Sequence, residues 1–124
     1  MMSEINREYI ASVGTEHRQN YGQFFTDLQI ASFMSRWVLD SGMGSLYDPA
    51  FGLGAFYVAA KLFQEDIHFT GAEVDPRILE FACANFPQLQ SQSISRTDYL
   101  LSWGTTHTGI VCNPPYMRFQ RFGN

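Results

Sequence analysis

The chain is 124 residues long, 45% hydrophobic and 16% charged, proportions that suit one globular unit with a real core and exclude a disordered or fibrous segment. A formal net charge of -4 excludes the broad basic field that a phosphate backbone rewards, so any grip on nucleic acid must come from local features. Cys83 and Cys112 stand alone in apolar stretches and share no metal-ligand spacing with His17, His68 or His107; both read as core thiols of a reducing compartment, and no metal site is expected.

No apolar run approaches the ~18 residues of a membrane span, and the start lacks a basic segment followed by an apolar one, which predicts a soluble, cytoplasmic protein with no membrane partner. Along residues 3 to 20, Ile5, Tyr9, Ile10 and Val13 recur at helical intervals and predict a short helix leading into Gly14. Thr26-Asp27 then offers an N-cap, and Leu28, Ala31, Met34, Trp37 and Val38 trace an amphipathic helix that ends before Gly42 and Gly44. From Ser45 the pattern changes. Ser45 to Asp48 predicts a strand, Gly52 and Gly54 a turn, and Ala55 to Phe63 an apolar helix. The cycle repeats with a strand over 67–72, a helix from Asp75-Pro76 to about Asn85, a weaker strand over 92–96, and a fourth strand over 109–112.

Strands alternating with helices argue for βαβ units and a parallel sheet, in which ligands bind beyond the carboxyl ends of the strands. Those ends carry Asp48, Glu73, Asp98 and Asn113. The turn Asp48-Pro49-Ala50-Phe51-Gly52-Leu53-Gly54 lets backbone approach a ligand closely. A full dinucleotide fingerprint would need a third small residue where Tyr57 stands, and Asp48 would repel phosphate, so a cationic ligand suits the turn better than a pyrophosphate. Glu73 follows the glycines by about 20 residues, the spacing at which a carboxylate accepts from ribose hydroxyls. Asp98 can accept from an adenine amine, with Val74 and Tyr99 as apolar plates on the two faces of the base. Together these features describe S-adenosylmethionine. Each acid taken singly also reads as a solvated strand end or a helix cap.

Residues 113 to 116 read Asn-Pro-Pro-Tyr. Each proline fixes its own φ and holds the residue before it extended, which makes the loop a rigid bracket. The bracket offers two acceptors, the Asn113 side-chain oxygen and the Pro114 carbonyl, beside the ring of Tyr116. Two acceptors on the hydrogens of an exocyclic amine aim its lone pair at an electrophilic methyl by position rather than by a strong base. A base can stack on Tyr116 only after leaving its duplex. The plain alternative is a strand-terminating turn.

Four stretches together resemble the adenine N6-specific DNA methyltransferases of restriction-modification systems, in the subgroup whose cofactor motifs precede the catalytic one. Tyr21-Gly22-Gln23-Phe24-Phe25-Thr26 resembles the N-terminal motif that folds over the methionine end of the cofactor. Asp48 to Phe56 resembles the glycine motif, Gly71-Ala72-Glu73-Val74-Asp75-Pro76 the ribose motif, and Asn113 to Tyr116 the catalytic motif. The resemblance implies a Rossmann-like S-adenosylmethionine-dependent α/β fold with an N-terminal helical segment (1–44), and a partial parallel sheet of about four strands in order 3-2-1-4 (45–124). It implies Tyr21, Phe25, Thr26, Asp48, Pro49, Ala50, Gly52, Gly54, Glu73, Val74, Asp98 and Tyr99 as cofactor-binding residues, and Asn113, Pro114, Pro115 and Tyr116 as catalytic ones. It further implies methyl transfer to a flipped-out adenine in double-stranded DNA, with a cognate restriction endonuclease as companion. The sheet and DNA-reading region usual after the catalytic turn are not in this sequence, so it reads as the first part of a longer domain. The strand ending at Cys112 would then leave an edge open to pairing with another chain. Glutamine-specific protein methyltransferases and some ribosomal RNA guanine methyltransferases share Asn-Pro-Pro-Tyr, against which the Phe-Phe-Thr motif argues; a cofactor-binding module without catalysis is the remaining alternative. Arg118 and Arg121, interleaved with Phe119 and Phe122, read as an ordinary loop or helix start.

Overall fold

The computed structural model describes residues 2–21, 25–42, 44–89, 93–102 and 104–114. Helix α1, Met2–Tyr21, consists of two helical arms that meet at Gly14, the residue at which the sequence pattern ends the first helix. The arms are joined by a kink at that residue, whose φ of 78° and ψ of 171° belong to a region open essentially to glycine alone. Met2, Ile5 and Tyr9 form its buried face. Helix α2, Leu28–Leu39, is capped by Asp27, which accepts the Gln29 N–H at 2.8 Å. Its buried stripe is Ala31, Ser35 and Leu39, one turn apart each. Trp37, expected on the apolar face, is 76% exposed and Phe33 74%. The buried face of α2, small at Ala31 and Ser35, packs on helix α3, Ala55–Phe63, which is buried throughout from Ala55 to Ala60.

Strands β1 (Ser45–Asp48), β2 (His68–Ala72) and β3 (Ile94–Ser95) form a parallel sheet in the order β1-β2-β3, with α3 and helix α4 (Pro76–Asn85) as the crossovers. Leu46, Phe69, Ile78, Leu79, Ala82 and Ile94 are among the residues that fill the core around them. This corrects the expected sheet of four strands in order 3-2-1-4. Residues 109–111 contribute one parallel bridge, Ile110 to Tyr47, made by the Tyr47 N–H to the Gly109 carbonyl at 2.8 Å and the Val111 N–H to the Tyr47 carbonyl at 3.0 Å. The pairing is short because the chain runs into Pro114 and Pro115, which have no N–H to extend a ladder. Gln92, where the third strand was expected to begin, lies outside the described residues.

Two glycines set how closely the strands meet. A Cβ on Gly71 would fall 2.5 Å from the Asp48 carbonyl oxygen, and one on Gly109 2.8 Å from that of Ser45. Gly71 pairs with Asp48 across the sheet, so its missing side chain is what draws the acidic tips of β1 and β2 together. Among the described residues no helix is long and apolar enough to cross a membrane.

Candidate functional site

Past Asp48 the chain turns through Pro49 to Gly54 into α3. The Ala50 N–H bonds the Asp48 carboxylate (Oδ1) at 3.0 Å, the Phe51 N–H bonds the Ala72 carbonyl at 2.9 Å, and the Gly52 N–H bonds Glu73 Oε1 at 2.7 Å. The turn is thus tied to the tips of both strands. Gly52 takes a φ of 59° and Gly54 one of 89°, left-handed conformations that favour glycine. A side chain on Gly54 would also strike Phe51 and Phe86.

Glu73 is buried and held from both sides, its Oε2 accepting the Asp75 N–H at 2.9 Å. Burial raises its pKa; the Asp75 and Gly52 N–H groups oppose the rise and the Asp75 charge adds to it. A carboxylate with two oxygens keeps lone pairs free beyond these two bonds. Asp48 is fully buried, and among the described residues its Oδ2 has no hydrogen-bond partner. Burial pushes its pKa up to about 7, against the Ala50 N–H bond and with help from the Glu73 charge.

The pH consequence of Asp48 has a definite sign. Its carboxyl loses its proton near 3.8 in the unfolded chain but only near 7 in the folded one, so between these values the folded state binds the proton more tightly. Stability of the ligand-free chain is expected to fall as pH rises through that window, at up to about 1.4 kcal/mol per pH unit from this group. The buried Glu73, also raised, adds in the same direction. Asp48→Asn keeps an acceptor for Ala50 and removes the charge, so its urea-unfolding free energy should fall less steeply than that of the parent over this range. Parallel curves for the two proteins would refute the assignment.

Above these acids lies a cavity of about 430 Å³, within the roughly 300–1,000 Å³ range of small-molecule sites. Tyr21 and Phe25 wall it from the end of α1 and the connection to α2. Pro49, Ala50 and Gly52 come from the glycine turn, Glu73 and Val74 from the tip of β2, Asp98 and Tyr99 from the segment after β3, and Asn113 and Pro114 from the final turn. The topology therefore gathers eleven expected site residues around one space. Asp98 also caps the 3₁₀ turn Tyr99–Leu101 by accepting the Leu100 N–H at 3.0 Å.

Three expected residues lie elsewhere. Asp48 sits beneath the lining, and Gly54 is the N-cap of α3. Thr26 lines a smaller adjoining cavity, and its hydroxyl accepts the Asn113 amide N–H at 2.9 Å. Pro115 and Tyr116 are outside the described residues, as are Arg118, Phe119, Arg121 and Phe122.

The lining also includes Ile78, Thr97, Leu100, Ile110 and Cys112, none of which was expected among the site residues. Cys112 is not the core thiol it was expected to be. It is half-buried on the cavity wall, its thiol pushed up to about 12 by burial and then by the Asp48 charge, against the Ala50 N–H. Period-two alternation could have found it, because buried Val111 lies between the two lining residues Ile110 and Cys112. Among the described residues no cluster of three or more metal-ligating side chains occurs.

Comparison with known proteins places these features in context. The model of the N-6 DNA Methylase family matches residues 1–119. The Type II methyltransferase M.AccI of Acinetobacter calcoaceticus is 37% identical over 98% of this chain, which spans 23% of the length of that relative. In fold, the crystal structure of Streptomyces venezuelae DesVI superposes with a TM-score of 0.56 at 17% identity, over 91% of this chain and 43% of that one.

Proposed function

Because the chain belongs to the N-6 DNA Methylase family, we propose that its cavity seats S-adenosylmethionine and that its Asn113-Pro114 turn presents the N6 amine of a DNA adenine to that cofactor, within a restriction-modification methyltransferase. The observation that carries this reading is that Glu73 and Asn113-Pro114, forty residues apart in sequence, line one cavity. The name of the Acinetobacter relative, a Type II methyltransferase, supports the restriction-modification setting, in which a cognate endonuclease is the natural companion.

The residues fit the cofactor. Glu73 has lone pairs left for two ribose hydroxyls, and the backbone of Ala50 and Gly52 faces the cavity with no bulky side chain in the way. Val74, 47% exposed, and Tyr99 offer apolar faces for a base, and Asp98 an acceptor at its edge. The Oδ2 of Asp48 has no hydrogen-bond partner among the described residues, and a cationic ligand above it would favour the ionised form that burial opposes. When bound, S-adenosylmethionine supplies an electrophilic methyl group. The protein's part is positional. The Asn113 side chain is anchored through its N–H to Thr26, which leaves its Oδ1 as an acceptor. With the Pro114 carbonyl, that oxygen takes the two hydrogens of the target amine and turns its lone pair toward the methyl group. Pro114 is exposed, so the proton shed by the nitrogen after transfer can leave to water there. An adenine can reach the turn only outside its duplex, and Tyr116 is the stacking face proposed for it.

Incubating the full-length protein with labelled S-adenosylmethionine and, in parallel, duplex DNA, ribosomal RNA or a glutamine-containing peptide tests this reading. Label on the N6 position of DNA adenine is the expected result. Label only on RNA guanine or on glutamine amide would overturn it in favour of the other amine methyltransferases that use the same turn.

A further inference from the structure

Asp75 carries more bonds than its place in the chain demands. As the N-cap of α4 it needs one oxygen, and Oδ1 accepts the Arg77 N–H at 3.0 Å. Such caps normally stand in solvent; this one is fully buried. Its other oxygen, Oδ2, accepts from His17 Nε2 at 2.6 Å and from the Tyr9 hydroxyl at 3.3 Å, both on α1. Tyr9 and His17 lie on opposite sides of the Gly14 kink yet reach the same atom. A side chain on Gly14 would meet nothing within 4 Å, so glycine is required there by backbone conformation, and the bend re-aims the second arm of α1.

The same residue is tied through its backbone to Glu73, which lines the cavity. The Asp75 N–H donates to Glu73 Oε2 at 2.9 Å, while the Gly52 N–H holds Oε1 at 2.7 Å. The α1 residues connect to the wall as well. The Tyr9 ring packs edge-on against Phe25, centroids 5.6 Å apart, and the His17 ring lies 4.9 Å from that of Tyr21; Phe25 and Tyr21 both line the cavity. Seating α1 therefore completes the wall and fixes the carboxylate in one motion.

We propose that His17 is a positioning residue for cofactor binding: by holding Asp75 it fixes the loop whose N–H orients Glu73, and so couples the docking of α1 to recognition of the ribose. This rests on the reading of Glu73 as the ribose acceptor. The interaction is a charge-assisted bond at a buried carboxylate, a setting in which removal of one partner has large consequences.

The test is the ratio of affinities, measured by calorimetry on the full-length protein, for S-adenosylhomocysteine and its 2′-deoxyribose analogue. The parent is expected to prefer the ribose form. In His17→Ala that preference should shrink by about tenfold, the weight of one hydrogen bond to a charged group. His17→Gln, which retains a donor, should restore most of it, and Tyr9→Phe, which keeps the ring packing, should reduce it by a smaller factor. A merely structural role would weaken both ligands alike and leave the ratio intact. If His17→Ala fails to fold, an unchanged ratio in Tyr9→Phe overturns the proposal; an unchanged ratio in a folded His17→Ala does so directly while leaving the Glu73 reading standing. A parent that binds neither ligand, or binds both equally, removes that reading and the proposal together.

Discussion

Asn113→Ala is expected to lower the rate of methyl transfer to duplex DNA by about 10²–10³-fold, the loss typical when one preorganised hydrogen-bonding group at a reacting centre is deleted. The amide of Asn113 is held by its N–H bond to the Thr26 hydroxyl, so its oxygen is fixed before any substrate arrives. Alanine removes that acceptor and leaves the Pro114 carbonyl, whose position depends on proline backbone angles and not on the side chain. Activity should therefore be crippled and not abolished. Cofactor affinity should change little, because Glu73, the glycine turn and Val74 are untouched. Thr26→Val, which keeps the branched shape but loses the hydroxyl, should lower the rate by a smaller factor by freeing the amide to rotate. Single-turnover transfer of a labelled methyl group, with S-adenosylhomocysteine affinity as a control, reads both effects. An Asn113→Ala protein that transfers at the parent rate would sink the proposed role of the turn.

Glu73→Ala should do damage of another kind, to stability and cofactor binding together. Both oxygens of this buried carboxylate are acceptors, one for Gly52 and one for Asp75. Alanine leaves two backbone N–H groups without a partner, at about 1–3 kcal/mol for each buried orphan. Part of that cost is offset because the carboxylate is itself strained by burial, as its raised pKa indicates. A net loss on the order of 2 kcal/mol is expected in urea unfolding. Affinity for S-adenosylhomocysteine should fall by roughly 100-fold, as the ribose acceptor goes and the turn that shapes the cavity loosens. Glu73→Gln is the informative companion. It has one acceptor where two are used, so its NH₂ group must face a backbone donor, and its stability should lie between those of the parent and the alanine variant. If both variants unfold at the parent's denaturant concentration, the bridging role of Glu73 is wrong.

The elements that were legible in sequence are those set by short-range chemistry. Asp75-Pro76 starts α4 as expected, because an Asx cap followed by proline at the first turn satisfies the orphan N–H groups locally. Asp27 caps α2 for the same reason, and Ala55–Phe63 and the first two strands fall within a residue of the expected bounds. The rule that parallel sheets bind ligands at the carboxyl ends of their strands was enough to group Glu73, Asp98 and Asn113. The failures fall where the tertiary partner decides. Gly14 ends the first arm of α1 as its pattern predicts, but nothing local predicts the second arm that follows and brings His17 to Asp75. Trp37 matches a helical stripe by spacing and still faces outward, while Ala31, Ser35 and Leu39 form the buried face of α2.

By itself, then, the sequence determined the local elements, the rigid turn at Asn113-Pro114, and the acids at the strand tips, because caps, proline geometry and period-two or period-3.6 patterning act over a few residues. Only the tertiary structure decided that Asp75 would meet His17 across 58 positions and that Asn113 would meet Thr26 across 87. It likewise put Cys112 on the cavity wall and reduced the fourth strand to one bridge. Contacts of that span carry no local signature. They form when loop closure is outweighed by the packing of whole elements, and that balance is set by the fold and not by any segment alone.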